Sequence, residues 1–258
     1  MGMSAARTVQ VGIITGFGIN ADKELGQAFT LAGGEVRYCH INDLRAAPES
    51  LLDFSIIAFP GGFSFGDHVG SGKILSHLVR VQFRNVLDTL IAGGGLILGI
   101  CNGFQTLVKM GILPNLNQDW TPEVSLIHNE SGEFVDRWVE LQVNPRNGSP
   151  WLHGLSETHI EYPIRHGEGR FIPRDDTVLN QLKQGNLIAF QYAENPNGSV
   201  DAIAGITDET GRVLGLMPHP EAAVSFYQNP RWARQEASGG PTPGLQLLKN
   251  AVDWAAGI

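Results

Sequence analysis

LILGICNGFQTL, residues 96–107, joins an unbroken apolar run to a polar, helix-starting segment with no linker between them. Five apolar or glycine residues in a row, LILGI, read as a strand buried on both faces, the kind found at the centre of a parallel sheet. NGFQTL then opens a helix, so strand and helix meet at Cys101, flanked by Gly99 and Gly103. Upstream, TVQVGIIT (8–15), EVRYCHI (35–41) and DFSIIAF (53–59) repeat the strand signal, with helical patterns over 22–32 and 74–91 between them. Strands alternating with helices predict a doubly wound α/β fold with a mostly parallel sheet.

Past Pro114 the texture changes. VSLIHN, FVDRWVELQV and HIEYPIR follow one another as strands with no helices between, which predicts an antiparallel portion added to the sheet. A helix is expected over 176–184 with Asp175 as its cap. LIAFQYA follows, then a hairpin with its tip at Asp208–Gly211. Thr242-Pro243 supplies the cap and first-turn proline of a last helix ending near Ala256. Only 234–240 resembles a linker, so residues 1–258 are expected to form one domain.

Bulk properties narrow the function. A formal charge of −8 argues against a nucleic-acid or anionic-membrane surface. No apolar run reaches the ~18 residues needed to cross a bilayer, and the N-terminus lacks both a signal-peptide core and a complete myristoylation motif. Two cysteines among 258 residues form neither a metal pair nor a disulfide framework, which fits a cytoplasmic protein.

Two phosphate-loop patterns invite a nucleotide reading. Gly16-Phe17-Gly18-Ile19-Asn20-Ala21 matches a dinucleotide fingerprint in spacing, but glycines at a strand–helix turn also serve backbone geometry alone. Gly70-Ser71-Gly72-Lys73 lacks both the leading glycine and the trailing Ser or Thr of a P-loop.

Cys101 carries more chemistry. A nucleophile on a strand–helix elbow is held in a strained turn with its side chain exposed above the sheet edge. The helix N-terminus favours thiolate over thiol. The N–H of the next residue, Asn102, is free to stabilise an oxyanion. Cys39, inside a strand, is expected to be a small buried hydrophobe. A cysteine nucleophile needs a base and an orienting acid. In Met217-Pro218-His219-Pro220-Glu221, two prolines fix the backbone around His219, and Glu221 lies two residues on. His166-Gly167-Glu168 is the second candidate pair. No histidine spacing gathers a metal site.

Together these residues resemble a class I glutamine amidotransferase, through Gly99-x-Cys101-x-Gly103-x-Gln105 and His219-Pro220-Glu221. More narrowly the chain is similar to glutaminase subunits of phosphoribosylformylglycinamidine synthase. That likeness rests on Asn20-x-Asp22-x-Glu24, Pro60-Gly61-Gly62-Phe63-Ser64-Phe65-Gly66-Asp67, Phe134-x-x-Arg137-Trp138-Val139 and His166-Gly167-Glu168-Gly169-Arg170-Phe171. The first of these motifs also removes most of the case for a dinucleotide site. Ala222, the 68–73 segment and the 232–242 stretch depart from the usual pattern.

The resemblance implies a flavodoxin-like sheet and hydrolysis of glutamine to glutamate and ammonia through a thioester on Cys101. His219 would be the base, Glu221 its orienting group, and the N–H groups of Gly62 and Asn102 the oxyanion hole. Gln105 would contact the bound glutamine, and the glycine-rich 61–72 loop would be mobile. It further implies a synthetase large subunit as partner, leaves room for a small accessory subunit, and puts ATP and Mg²⁺ on the partner, with no cofactor in this chain. An amidotransferase of another pathway, a stand-alone cysteine hydrolase and a non-catalytic regulatory subunit remain alternatives.

Overall fold

The computed structural model describes residues 8–155, 160–234 and 239–257. In chain order the first half gives β1 (Gln10–Thr15), α1 (Asp22–Leu31), β2 (Glu35–His40), α2 (Ile41–Ala46), β3 (Ile56–Phe59), α3 (Lys73–Ala92), β4 (Leu96–Ile100) and α4 (Asn102–Met110). The second half gives β5 (Val124–Ile127), β6 (Val135–Val143), β7 (Ile160–His166), β8 (Arg170–Pro173), α5 (Asp176–Gln184), β9 (Ile188–Tyr192), β10 (Ile203–Thr207), β11 (Val213–Leu216) and α6 (Pro243–Ala256).

Nine strands form one sheet in the order β2-β1-β3-β4-β11-β10-β9-β6-β7. From β2 to β11 every pair is parallel, and from β11 to β7 every pair is antiparallel. Only β10 and β6 therefore oppose the common direction, as the change of texture after Pro114 predicts. β4 sits between β3 and β11, and Leu96, Ile97, Leu98 and Ile100 are fully buried. Such burial stabilises the sheet by about 1.5–3 kcal/mol per side chain. This central strand delivers the elbow.

The elbow needs its glycines because α4 lies hard against the sheet. A Cβ on Gly103 would stand 1.9 Å from the Phe59 carbonyl oxygen, so any side chain there would push the helix off β3. Capping runs as expected elsewhere: Asp175 accepts from the Val178 N–H at 2.9 Å, and Thr242 from the Leu245 N–H at 3.3 Å.

Two elements escape the sequence pattern. Helix α2 has only six residues, too few to show a period, and is capped by His40 Nδ1 accepting from Asn42 N–H. Strand β8 pairs with β5 in a separate two-stranded sheet and ends in Pro173. The expectation that Cys39 is buried needs correction. β2 is an edge strand whose Glu35, Arg37 and Tyr38 face solvent, and Cys39 is only half-buried there. The start of HIEYPIR, at His159, and residues 235–238 of the linker-like stretch lie outside the described residues, as does the Met-Gly start. No helix among the described residues is long and apolar enough to cross a membrane.

Candidate active site

Cys101 caps α4 in a conformation with φ 51° and ψ −106°, outside the regions that non-glycine residues ordinarily adopt. Holding it there costs of order 1–3 kcal/mol, supplied by the packed strand on one side and the helix on the other. Its N–H donates to the Leu216 carbonyl of β11 at 2.9 Å, locking the elbow to the neighbouring strand. The side chain is not displayed above the sheet edge as the elbow alone suggests. It is 6% exposed, because loop residues 61–63 and β7 rise around it.

What remains open is a cavity of about 270 Å³, walled by Ala21, Glu24, Gly62, Phe63, Arg165 and His219 as well as Cys101. β11 carries His219 to the cavity, and its N–H is tied to the Pro163 carbonyl of β7 at 2.9 Å. Pro220 then starts a short 3₁₀ turn that brings Glu221 under the ring. Glu221 Oε1 accepts from His219 Nδ1 at 2.5 Å, which fixes the tautomer and leaves Nε2 on the cavity side near the Cys101 sulfur, with no hydrogen-bond partner in reach among the described residues. Burial works against a charged imidazole here, yet Glu221 and the adjacent Cys101 sulfur outweigh it and raise the pKa to about 10.

The second candidate pair does not form. His166 is buried with its Nδ1 donating to Asn129 Oδ1 at 3.1 Å, since the Asn129 Nδ2 is committed to the Glu133 and His166 carbonyls. Glu168 instead accepts from the Ser71 N–H at 3.3 Å and stands 4.0 Å from His128. Burial, with the neighbouring His219, lowers the His166 pKa to about 4, so this ring is neutral at neutral pH.

The 60–72 loop is strapped in place rather than loose. The Gly61 carbonyl accepts from Asn20 N–H at 3.4 Å and Ala21 N–H at 3.3 Å, while Phe63 N–H donates to Gly18 at 2.8 Å. These contacts occupy the start of α1, where the dinucleotide fingerprint would have needed its phosphates. Gly62, at φ +147°, bridges Ile19, and a Cβ there would come within 2.8 Å of the Asn20 nitrogen. Among the described residues no protein acceptor takes the N–H of Gly62 or of Asn102.

Gln105 departs from its expected place. It is 3% exposed and does not line the cavity; its Oε1 accepts from Asn102 Nδ2 at 3.0 Å, and its Nε2 donates to the Glu168 carbonyl at 2.5 Å. One turn past Cys101 it shares that face of α4, but loop and β8 approach cover it.

Two charged wall residues carried no role in the sequence reading. Glu24, in the first turn of α1, accepts from Arg165 Nη2 at 2.8 Å, and that nitrogen lies 4.0 Å from Glu221 Oε1. The Nε of Arg165 is buried without a hydrogen-bond partner among the described residues. The available signals were the Asn20-x-Asp22-x-Glu24 motif for Glu24 and, for Arg165, its place near the end of β7 beside His166. Among the described residues no group of His, Cys, Asp and Glu could hold a metal ion.

Residues 8–255 match the family of CobB/CobQ-like glutamine amidotransferase domains. The chain is 42% identical over 246 residues to the phosphoribosylformylglycinamidine synthase subunit PurQ of Dehalococcoides mccartyi, covering 92% of this chain and 94% of that protein. It is 36% identical over 264 residues to the same-named subunit of Methanococcus maripaludis, covering 94% and 96%. Among solved structures it resembles a chain of PurLQS from Thermotoga maritima, with a TM-score of 0.75 and 28% identity over 96% of this chain and 99% of that one. The glutaminase domain of Trypanosoma brucei CTPS with bound acivicin, at TM-score 0.56 and 14% identity over 95% and 94%, shares the fold.

Proposed function

The chain belongs to the CobB/CobQ-like glutamine amidotransferase domain family, and from that premise we propose that it is the glutaminase subunit of a phosphoribosylformylglycinamidine synthase. The observation that carries this reading is one cavity onto which a strained elbow cysteine and a histidine backed by Glu221 both open.

In the proposed reaction His219 takes the proton of the Cys101 thiol, and the Sγ thiolate attacks the side-chain carbonyl carbon of glutamine. Negative charge builds on the carbonyl oxygen and is held by the free N–H groups of Gly62 and Asn102. His219, held protonated by Glu221, gives its Nε2 proton to the amide nitrogen as the C–N bond breaks, releasing ammonia and leaving a γ-glutamyl thioester. Water then attacks the thioester carbon, His219 takes the proton from that water, and glutamate departs as the sulfur is freed. Glu24 and Arg165 give the wall adjacent negative and positive groups, which suits the ammonium and carboxylate of a free amino acid.

The ammonia is consumed by a synthetase large subunit that amidates formylglycinamide ribonucleotide with ATP and Mg²⁺, alongside any small accessory subunit. The ATP chemistry belongs to that partner. Phe63 and Phe134, 49% and 55% exposed at the mouth of the cavity, support a protein cover there. Two unpaired cysteines fit a reducing, cytoplasmic compartment.

A glutamine-mimicking electrophile tests the reading. It is expected to label Cys101 and spare Cys39, whose thiol burial pushes to a higher pKa. Excess glutamine is expected to protect Cys101. Peptide mass spectrometry showing equal labelling of both thiols, or labelling that glutamine does not slow, would refute a glutamine site at Cys101.

A further inference from the structure

The two oxyanion donors stand on separate pieces of chain, the 60–72 loop and the first turn of α4, so their spacing depends on whatever joins those pieces. The join converges on the side chain of Asn102, which is 1% exposed. Its Oδ1 accepts from the Ser64 N–H at 3.1 Å, and its Nδ2 donates to Gln105 Oε1 at 3.0 Å and to Asp67 Oδ1 at 3.2 Å. Chemistry fixes this amide's orientation, since a backbone N–H only donates and a carboxylate only accepts. The same Asp67 Oδ1 also accepts from the Gly72 N–H at 3.2 Å. One carboxylate oxygen thus ties the far end of the loop to the residue that follows the nucleophile.

We infer that Asp67 is a positioning residue of the glutaminase reaction: through the Asn102 amide it sets the distance between the Gly62 and Asn102 N–H groups. Asp67 does not line the cavity and touches no reacting atom. This deepens the function proposed above and rests on it.

The backbone at Asp67 has φ +53°, a region open to glycine, tolerated by asparagine and strained for alanine. Asp67→Gly therefore removes the acceptor without adding strain, and Asp67→Asn keeps an Oδ1 able to take both donors. Asn102→Ser cuts the link from its other end. Glutamine turnover is measured with the synthetase partner present, next to alkylation of Cys101 by iodoacetamide, a displacement at saturated carbon that builds no oxyanion.

Asp67→Gly is expected to lower kcat ~10²-fold, the loss that follows from one misplaced oxyanion donor. KM and the rate and pH profile of alkylation should stay near wild type, and Asp67→Asn should restore most of kcat. Asn102→Ser should show the same kcat loss, and the double variant should be no slower than the slower single one. Wild-type kcat in Asp67→Gly, a loss confined to KM, equal damage from Asp67→Asn, a parallel loss of alkylation, or losses that multiply in the double variant would each overturn the assignment. If Asp67→Gly fails to fold, as thermal unfolding would reveal, Asn102→Ser carries the same kcat and alkylation test. A wild type that does not turn over glutamine would instead remove the proposed function, and this inference with it.

Discussion

Cys101→Ala is expected to abolish glutamine-dependent amidation by the assembled synthase while leaving amidation from added ammonium salt at the wild-type rate. Removing a nucleophile costs on the order of 10⁴–10⁶-fold in rate, because no other group on the cavity wall can form the covalent intermediate. Ammonia bypasses only the chemistry at this sulfur, so the two substrates separate nucleophile from scaffold. The structure makes the substitution a mild one for the fold. Cys101 is held by its N–H to Leu216 and by the packing of β4 and α4, and its Sγ makes a long contact, 3.9 Å, to the Arg165 carbonyl and lies beside His219. Loss of both activities in an assembled complex would assign Cys101 a structural role and end the proposed mechanism.

The second large effect is expected at His219. His219→Ala should lower kcat ~10²–10⁴-fold, the range that general acid–base help supplies. His166 is a poor substitute, since burial keeps it neutral and its Nδ1 is committed to Asn129. Glu221→Gln should do less damage but should move the pH–rate profile. The negative charge of Glu221 stabilises the imidazolium, so removing it lowers the His219 pKa from its raised value of about 10. The active, protonated form is then lost at a lower pH as pH rises, and the basic limb shifts toward neutrality. A wild-type rate in His219→Ala, or a basic limb that shifts upward in Glu221→Gln, would contradict the roles given to this pair.

The elbow was legible in the sequence because its determinants are local. LILGI states its own burial, and Gly103 marks a contact that only a missing Cβ permits. The Met217–Glu221 segment was equally readable, since two prolines and a spacing of two fix how His219 and Glu221 meet. What the sequence could not state are contacts between segments distant along the chain. The glycines of residues 61–72 read as freedom, yet Asn102, Glu168 and Lys109 hold that loop down through Ser64, Asp67 and the two backbone groups of Ser71.

Gln105 shows the same limit. Its helical phase relative to Cys101 was right, but what covers that face was not readable. Exposure failed for a related reason: Cys101 is recessed and Cys39 half-exposed because loop closure and strand order, not local pattern, decide what lies above each. Arg165 and Glu24 come from separate halves of the chain and meet only because β7 closes one edge of the site.

The proposed mechanism turns on a covalent bond between glutamine and one sulfur. Acid quenching during turnover, followed by mass spectrometry of the intact chain and its peptides, reads that bond directly. The result predicted is a mass increase of one γ-glutamyl group on the peptide containing Cys101, labile to hydroxylamine and absent when ammonium salt replaces glutamine. Steady turnover of glutamine with no adduct in His219→Ala or wild type at any quench time, or an adduct on Cys39, would contradict it.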